Sequence, residues 1–159
     1  MYPVFPFVDD IVHKCQEYFV GDFDITPDES LCDTLDKVTA HYERTGKILV
    51  WSGASDNTIF AKPETNHRFR AWHDWIHVVN KLPFDYAGEM KALAIHKAHV
   101  HLMWCRGSIS YYDAIKIMYF ALDIEIREQL NFHKDTGYFP DNQRKFTIDF
   151  AEGSGYLLN

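Results

Sequence analysis

The chain has 159 residues, a formal charge of -7 and 16% aromatic side chains, enough length for one domain over 1–159 that buries roughly 70% of its unfolded surface. The negative charge excludes general affinity for nucleic acid or anionic membranes, and the three scattered cysteines Cys15, Cys32 and Cys105 exclude a disulfide framework or a structural zinc site. No charged leader precedes an apolar run, and no apolar stretch approaches the ~18 residues of a membrane span, so a reducing cytoplasm is the expected setting.

In chain order, residues 8–20 read as a short amphipathic helix ending before Gly21. Thr26-Pro27-Asp28-Glu29 has the pattern of a capping box with proline at the first helical position. Leu31, Leu35, Val38 and Tyr42 then carry helical period up to Gly46. Ile48-Leu49-Val50-Trp51 is the best strand candidate, and Ser52–Thr58 is a polar turn or a loop able to cradle an anion. A helix is predicted from Pro63 to Asn80, a second from Asp85 to Cys105 after the Pro83 break, and a third from Ser110 to about Phe132. A weaker helix or extended tail covers 141–152. The expectation is a mostly α, single-domain helical bundle with at most a small β element near 48–51.

The helix over 63–80 has two contrasting stripes. Phe69, Trp72, Ile76 and Val79 form an apolar one, and Asn66, Arg70, His73 and His77 a polar one beside it. A solvated face would carry Lys and Glu; this one carries two imidazoles one turn apart with Asp74 adjacent, a geometry suited to metal or acid–base chemistry. On the next helix Glu89 and His96 share a face with Ala92, Leu93, Val100 and Met103, and on the third Glu125 continues the stripe of Ala114, Met118 and Ala121. A carboxylate in line with a core stripe is costly unless it is paired or binds a cation.

His73, His77, His96 and Glu125 are therefore candidate ligands of a divalent metal (Zn, Mn or Fe), as mixed imidazole and carboxylate donors suit. Glu89 and Asp74 are candidates for a general base or for orienting an imidazole, while a carboxylate at Glu89 equally suits a helix N-terminus. Arg70, Asn66 and Gln129 are candidate contacts to a small anionic substrate, with a salt bridge to Asp74 as the alternative for Arg70. His99 and His101 are expected at the surface. Asp123 points ~160° away from Glu125 on an ideal helix, so the two do not serve one ion.

The pattern Asn66-x-x-Phe69-Arg70-Ala71-x-His73-Asp74, followed by His77, Gly88-Glu89, His96 and Glu125-x-x-x-Gln129, resembles a largely uncharacterised family of small bacteriophage-encoded proteins over about 48–132. That resemblance implies a site without a reaction, and action in the cytoplasm of an infected host. The order His41, His73-Asp74, Asp123 also resembles HD-domain metal phosphohydrolases, which are all-helical. Here Phe-Arg-Ala-Trp replaces the small apolar run that precedes their His-Asp pair. Three functions remain open at this stage: a metal-dependent hydrolase of a small anionic substrate such as a nucleotide or phosphoester, a non-haem iron oxygenase, and a phage protein that binds a host factor or virion component with structural histidines.

Overall fold

A computed structural model describes residues 6–154. Helices dominate, and the sheet is a pair of four-residue strands. The elements are α1 (Pro6–Phe19), β1 (Phe23–Thr26), α2 (Leu35–Thr45), β2 (Ile48–Trp51), α3 (Pro63–Asn80), α4 (Tyr86–Cys105), α5 (Tyr111–Lys116), α6 (Gln129–Thr136) and α7 (Gln143–Gly153). Among the described residues no helix is long and apolar enough to cross a membrane.

The mostly helical expectation holds, and β2 falls on the expected residues. Its partner β1 is unanticipated. The two strands run parallel, with Phe23 opposite Ile48 and Thr26 opposite Trp51, so α2 is the crossover between them. This pairing also explains why no helix starts at Thr26. Thr26 is the last residue of β1, and its hydroxyl accepts from the Asp28 amide at 3.1 Å. Asp28 in turn caps a single 3₁₀ turn, Glu29–Leu31. The long helix begins only at Leu35, where Thr34 accepts from the Lys37 amide.

α3 lies between two apolar clusters. Trp72 and Ile76 enter the larger one with α1, α4 and the helix after α4, whereas Ala71 and Val78 pack on Val38, Ile48 and Val50 of the small sheet layer. A helix covered on opposite flanks has little solvated face left, so His77 is fully buried. Val79, expected in the apolar stripe, is instead 41% exposed, next to the last residue of α3.

From Tyr111 to Thr136 the backbone stays helical, but its middle is π-helical over Ile117–Ala121 and Asp123–Glu128. Such segments widen the turn by one residue and recur at functional sites. Ser110 caps the start, as expected, by accepting from the Asp113 amide. The tail expected to be weak is a formed helix, α7, capped by Asn142. Arg144 fastens it to the loop before α3 by donating to the carbonyls of Thr58 (2.6 Å) and Phe60 (3.2 Å).

Candidate metal centre

His73 and His77 are one turn apart on α3, and Glu89 lies in the first turn of α4. Gly88 lets those helices meet. A Cβ there would lie 1.9 Å from the Pro83 carbonyl oxygen, so only glycine allows the 83–85 turn to close against α4 and deliver the next residue, Glu89, to α3. Asp85 caps α4 by accepting from the Gly88 amide at 2.8 Å. The Glu89 carboxylate is thereby left for the histidines.

His73 Nε2 lies 3.1 Å from Glu89 Oε2 and 3.2 Å from His77 Nε2, and His77 Nε2 lies 3.4 Å from Glu89 Oε1. Among the described residues these three form the one group of His, Cys, Asp or Glu side chains close enough to share a metal ion. An ion ~2.0–2.2 Å from nitrogen and oxygen ligands spaces them about 3.0–3.5 Å apart in octahedral or tetrahedral geometry. The observed separations match that spacing.

The outer nitrogens settle the orientation of both rings. His77 Nδ1 donates to the Leu82 carbonyl at 3.0 Å, which aims Nε2 at Glu89 and His73. His73 Nδ1 lies 3.2 Å from His96 Nε2. Burial depresses the His96 imidazole far below its usual range, with the charge of His73 next in effect, so His96 is neutral and accepts from His73. Burial also works against the His73 imidazolium, but the hydrogen bond and charge of Glu89 outweigh it and raise its pKa. For Glu89, burial pushes upward and is overcome by hydrogen bonds from His73 and His77, leaving its pKa at about 2. Two imidazole Nε2 atoms and a carboxylate thus converge on one point, which protons or a cation can occupy.

His73 and Glu89 of this trio border a cleft of about 190 Å³, lined also by Phe69, Glu125, Ile126, Leu130 and Phe139. Glu125 enters from the second π-helical segment and accepts from the buried Thr147 hydroxyl of α7 at 3.2 Å. Burial raises its pKa to about 7, against the opposing hydrogen bonds of Thr147 and Gln129. A carboxyl there exchanges its proton near neutral pH.

The structure brings together His73, His77 and Glu89, the last of which was expected as a base or orienting group. His96 stands behind His73 and Glu125 lines the cleft, so neither expected ligand belongs to the trio. Gln129 is buried beside Glu125. Asp74 lines no part of the cleft; burial lifts its carboxyl to about 6 despite the charges of His73 and His77.

The expected substrate contacts are engaged elsewhere. Arg70 donates to the carbonyls of Trp51 and Gly53, both at 2.7 Å, and its guanidinium lies over the Trp51 ring. Asn66 is buried and donates to Ser55 Oγ at 3.0 Å. Together with His67, which donates to the Ser52 carbonyl, they bind the 52–55 loop to α3. These bonds use the carbonyl and hydroxyl acceptors of the loop.

The set His41, His73, Asp74 and Asp123 is not assembled. His41 pairs with Asp24 at 2.9 Å, and Asp123 is buried between Lys97 (2.5 Å) and Arg127 (3.5 Å). His99, expected at the surface, is half-buried: it stacks on Phe19 at 3.7 Å and accepts from Trp72 Nε1 at 3.0 Å. No protein-family model, curated protein or solved structure matches the chain.

Proposed function

We propose that the protein is a metal-dependent hydrolase of a small molecule, with His73, His77 and Glu89 holding one divalent ion and Glu125 exchanging the proton. The convergence of two imidazole Nε2 atoms and a carboxylate within 3.1–3.4 Å, at the edge of a cleft shared with Glu125, carries this reading.

Three protein donors leave further coordination positions open, as catalytic sites require and structural sites do not. An ion held there would supply Lewis acidity and would lower the pKa of a water bound to it from 15.7 towards about 7. His77 is held in the correct tautomer by Leu82, and His73 by His96, so both present Nε2 without rearrangement. Glu125, with its pKa at about 7, takes a proton from the attacking water and returns it to the leaving atom. Phe69, Ile126, Leu130 and Phe139 give the cleft apolar walls.

Elemental analysis of the purified protein tests the proposal: one Zn, Mn or Fe per chain is expected, and none in the His73→Ala, His77→Ala variant. Absence of metal from the native protein after reconstitution would refute it. The resemblance to phage-encoded proteins supports an activity inside an infected bacterium.

Two histidines and one carboxylate with open positions are also the donor set of mononuclear non-haem iron oxygenases, and the apolar cleft walls favour that second reading. Iron with a visible absorbance band would select it. A colourless protein holding zinc or manganese would select hydrolysis.

A further inference from the structure

We propose that the cleft takes an uncharged carboxylic ester or amide with a short hydrocarbon acyl group, and not a phosphoester or other anion. This rests on the hydrolase reading above and specifies its substrate.

The side chains around the cleft decide the point. Four of the seven are hydrocarbon or phenyl (Phe69, Ile126, Leu130 and Phe139), two are carboxyl groups (Glu89 and Glu125), and none is Lys or Arg. Sites for phosphoryl groups aim arginine, lysine or free helix N-termini at the anion. Three cations on the adjoining helices are already committed. Arg70 is bonded to two carbonyls, Lys97 to Asp123, and Arg127 to Asp123 and Glu128. The N-terminus of α4 is capped by Asp85.

A dianionic phosphoryl group would be stripped of water against these walls with no arginine, lysine or free helix N-terminus to replace it, a cost that the ion alone must offset. An uncharged carbonyl carries no such cost and gains from contact with the apolar walls. A volume of about 190 Å³ holds about six water-sized groups, which suits a short acyl chain. Phe139 also borders a second cavity of about 290 Å³ lined by Asp56, Asn57, Asp141 and Gln143, where the polar end of a longer substrate finds hydrogen-bonding partners.

In the reaction the water oxygen bonds to the acyl carbon, and the acyl C–O or C–N bond breaks. One water proton passes through Glu125 to the departing oxygen or nitrogen, giving an acid and an alcohol or amine with no change of oxidation state.

The test is calorimetric titration of the zinc-loaded protein with butyrohydroxamate and with inorganic phosphate, alongside cleavage of 4-nitrophenyl butyrate and 4-nitrophenyl phosphate. Butyrohydroxamate is expected to bind at least about ten-fold more tightly than phosphate, and the butyrate ester to be cleaved faster. Leu130→Lys, which places a cation on the wall, should erase that preference. Phe139→Ala, at a half-exposed position, should weaken hydroxamate binding and serves if Leu130→Lys does not fold. Tighter phosphate binding, no binding of either probe, or faster cleavage of the phosphate ester overturns the substrate assignment while leaving the metal reading intact. Failure to bind zinc, or zinc binding unchanged in the His73→Ala, His77→Ala variant, overturns the metal reading and the substrate assignment with it.

Discussion

His77 and Leu82 are joined twice: the Leu82 amide donates to the His77 carbonyl at 2.9 Å, and the His77 imidazole donates back to the Leu82 carbonyl at 3.0 Å. The link between them is Lys81, which caps α3 in the left-handed region at φ 53°. The turn that ends the helix therefore also fixes which nitrogen of His77 faces Glu89.

That coupling predicts opposite effects for two substitutions at Lys81. Glycine accepts the left-handed backbone freely, so Lys81→Gly should keep metal affinity and raise stability by about 0.5–1 kcal/mol. Lys81→Val resists it and should lower both, by ~1 kcal/mol or more in stability. Thermal denaturation with and without added zinc reads both effects.

His96 has a buried Nδ1 with no hydrogen-bond partner among the described residues. In His96→Leu that orphan disappears, but His73 Nδ1 loses its acceptor, so one unsatisfied group replaces another. Stability should change by less than about 2 kcal/mol. Metal affinity should fall about 10–100-fold, since an orienting partner of a ligand is lost. A metal titration that is unchanged would show that His96 does not position His73.

Glu125→Gln should retain the metal and lower kcat by about 10²–10⁴. It should also change the pH dependence of stability. A carboxyl raised to about 7 in the folded state binds more protons there than in the unfolded chain between its ordinary pKa and 7. Its stabilisation is present at low pH and is lost as pH rises from about 4.5 to about 7. Denaturant midpoints of the metal-free protein across that window should lose this fall in the variant.

His99 gives the reverse slope. Burial lowers its pKa to about 4, and it must be neutral to accept from Trp72. Its contribution is present above the usual histidine pKa of about 6.5 and is lost as pH falls towards 4. Because the ring is only partly covered, the effect should be about 1–2 kcal/mol. His99→Gln, whose amide oxygen can still accept from the indole, should abolish it in an acid titration of stability.

Arg70→Ala should destabilise the fold by about 1.5–3 kcal/mol, because two charge-assisted bonds to the Trp51 and Gly53 carbonyls are lost. Metal stoichiometry should be unaltered. Loss of substrate affinity without loss of stability would instead restore Arg70 to a ligand-binding role.

Much of this architecture was legible because it is local. Asp85 and Ser110 sit at their helix starts, Gly46 at a helix end, and Ile48–Trp51 are extended, as side-chain capping and hydrophobic period dictate. The His73–His77 face was legible for the same reason, being a single-helix spacing. Partners across the fold were not. Phe23–Thr26 has no period of its own to betray β1, and Arg70 gives no local sign that its carbonyl acceptors lie 17 and 19 residues earlier. The division of roles between Glu89 and His96 is equally non-local. Both lie on α4, and only the α3–α4 crossing that Gly88 permits decides which one reaches His77 Nε2.

Between Ile117 and Glu128 the helix holds more residues than its turns would in α form. Removing one residue from 117–122 while the wide turns persisted would rotate everything downstream by ~100°. Glu125 would swing off the cleft, Asp123 would leave Lys97, and Thr147 would face an empty position. In this stretch the number of residues is under the same constraint as their identity: a deletion that spares every named side chain would still dismantle the site.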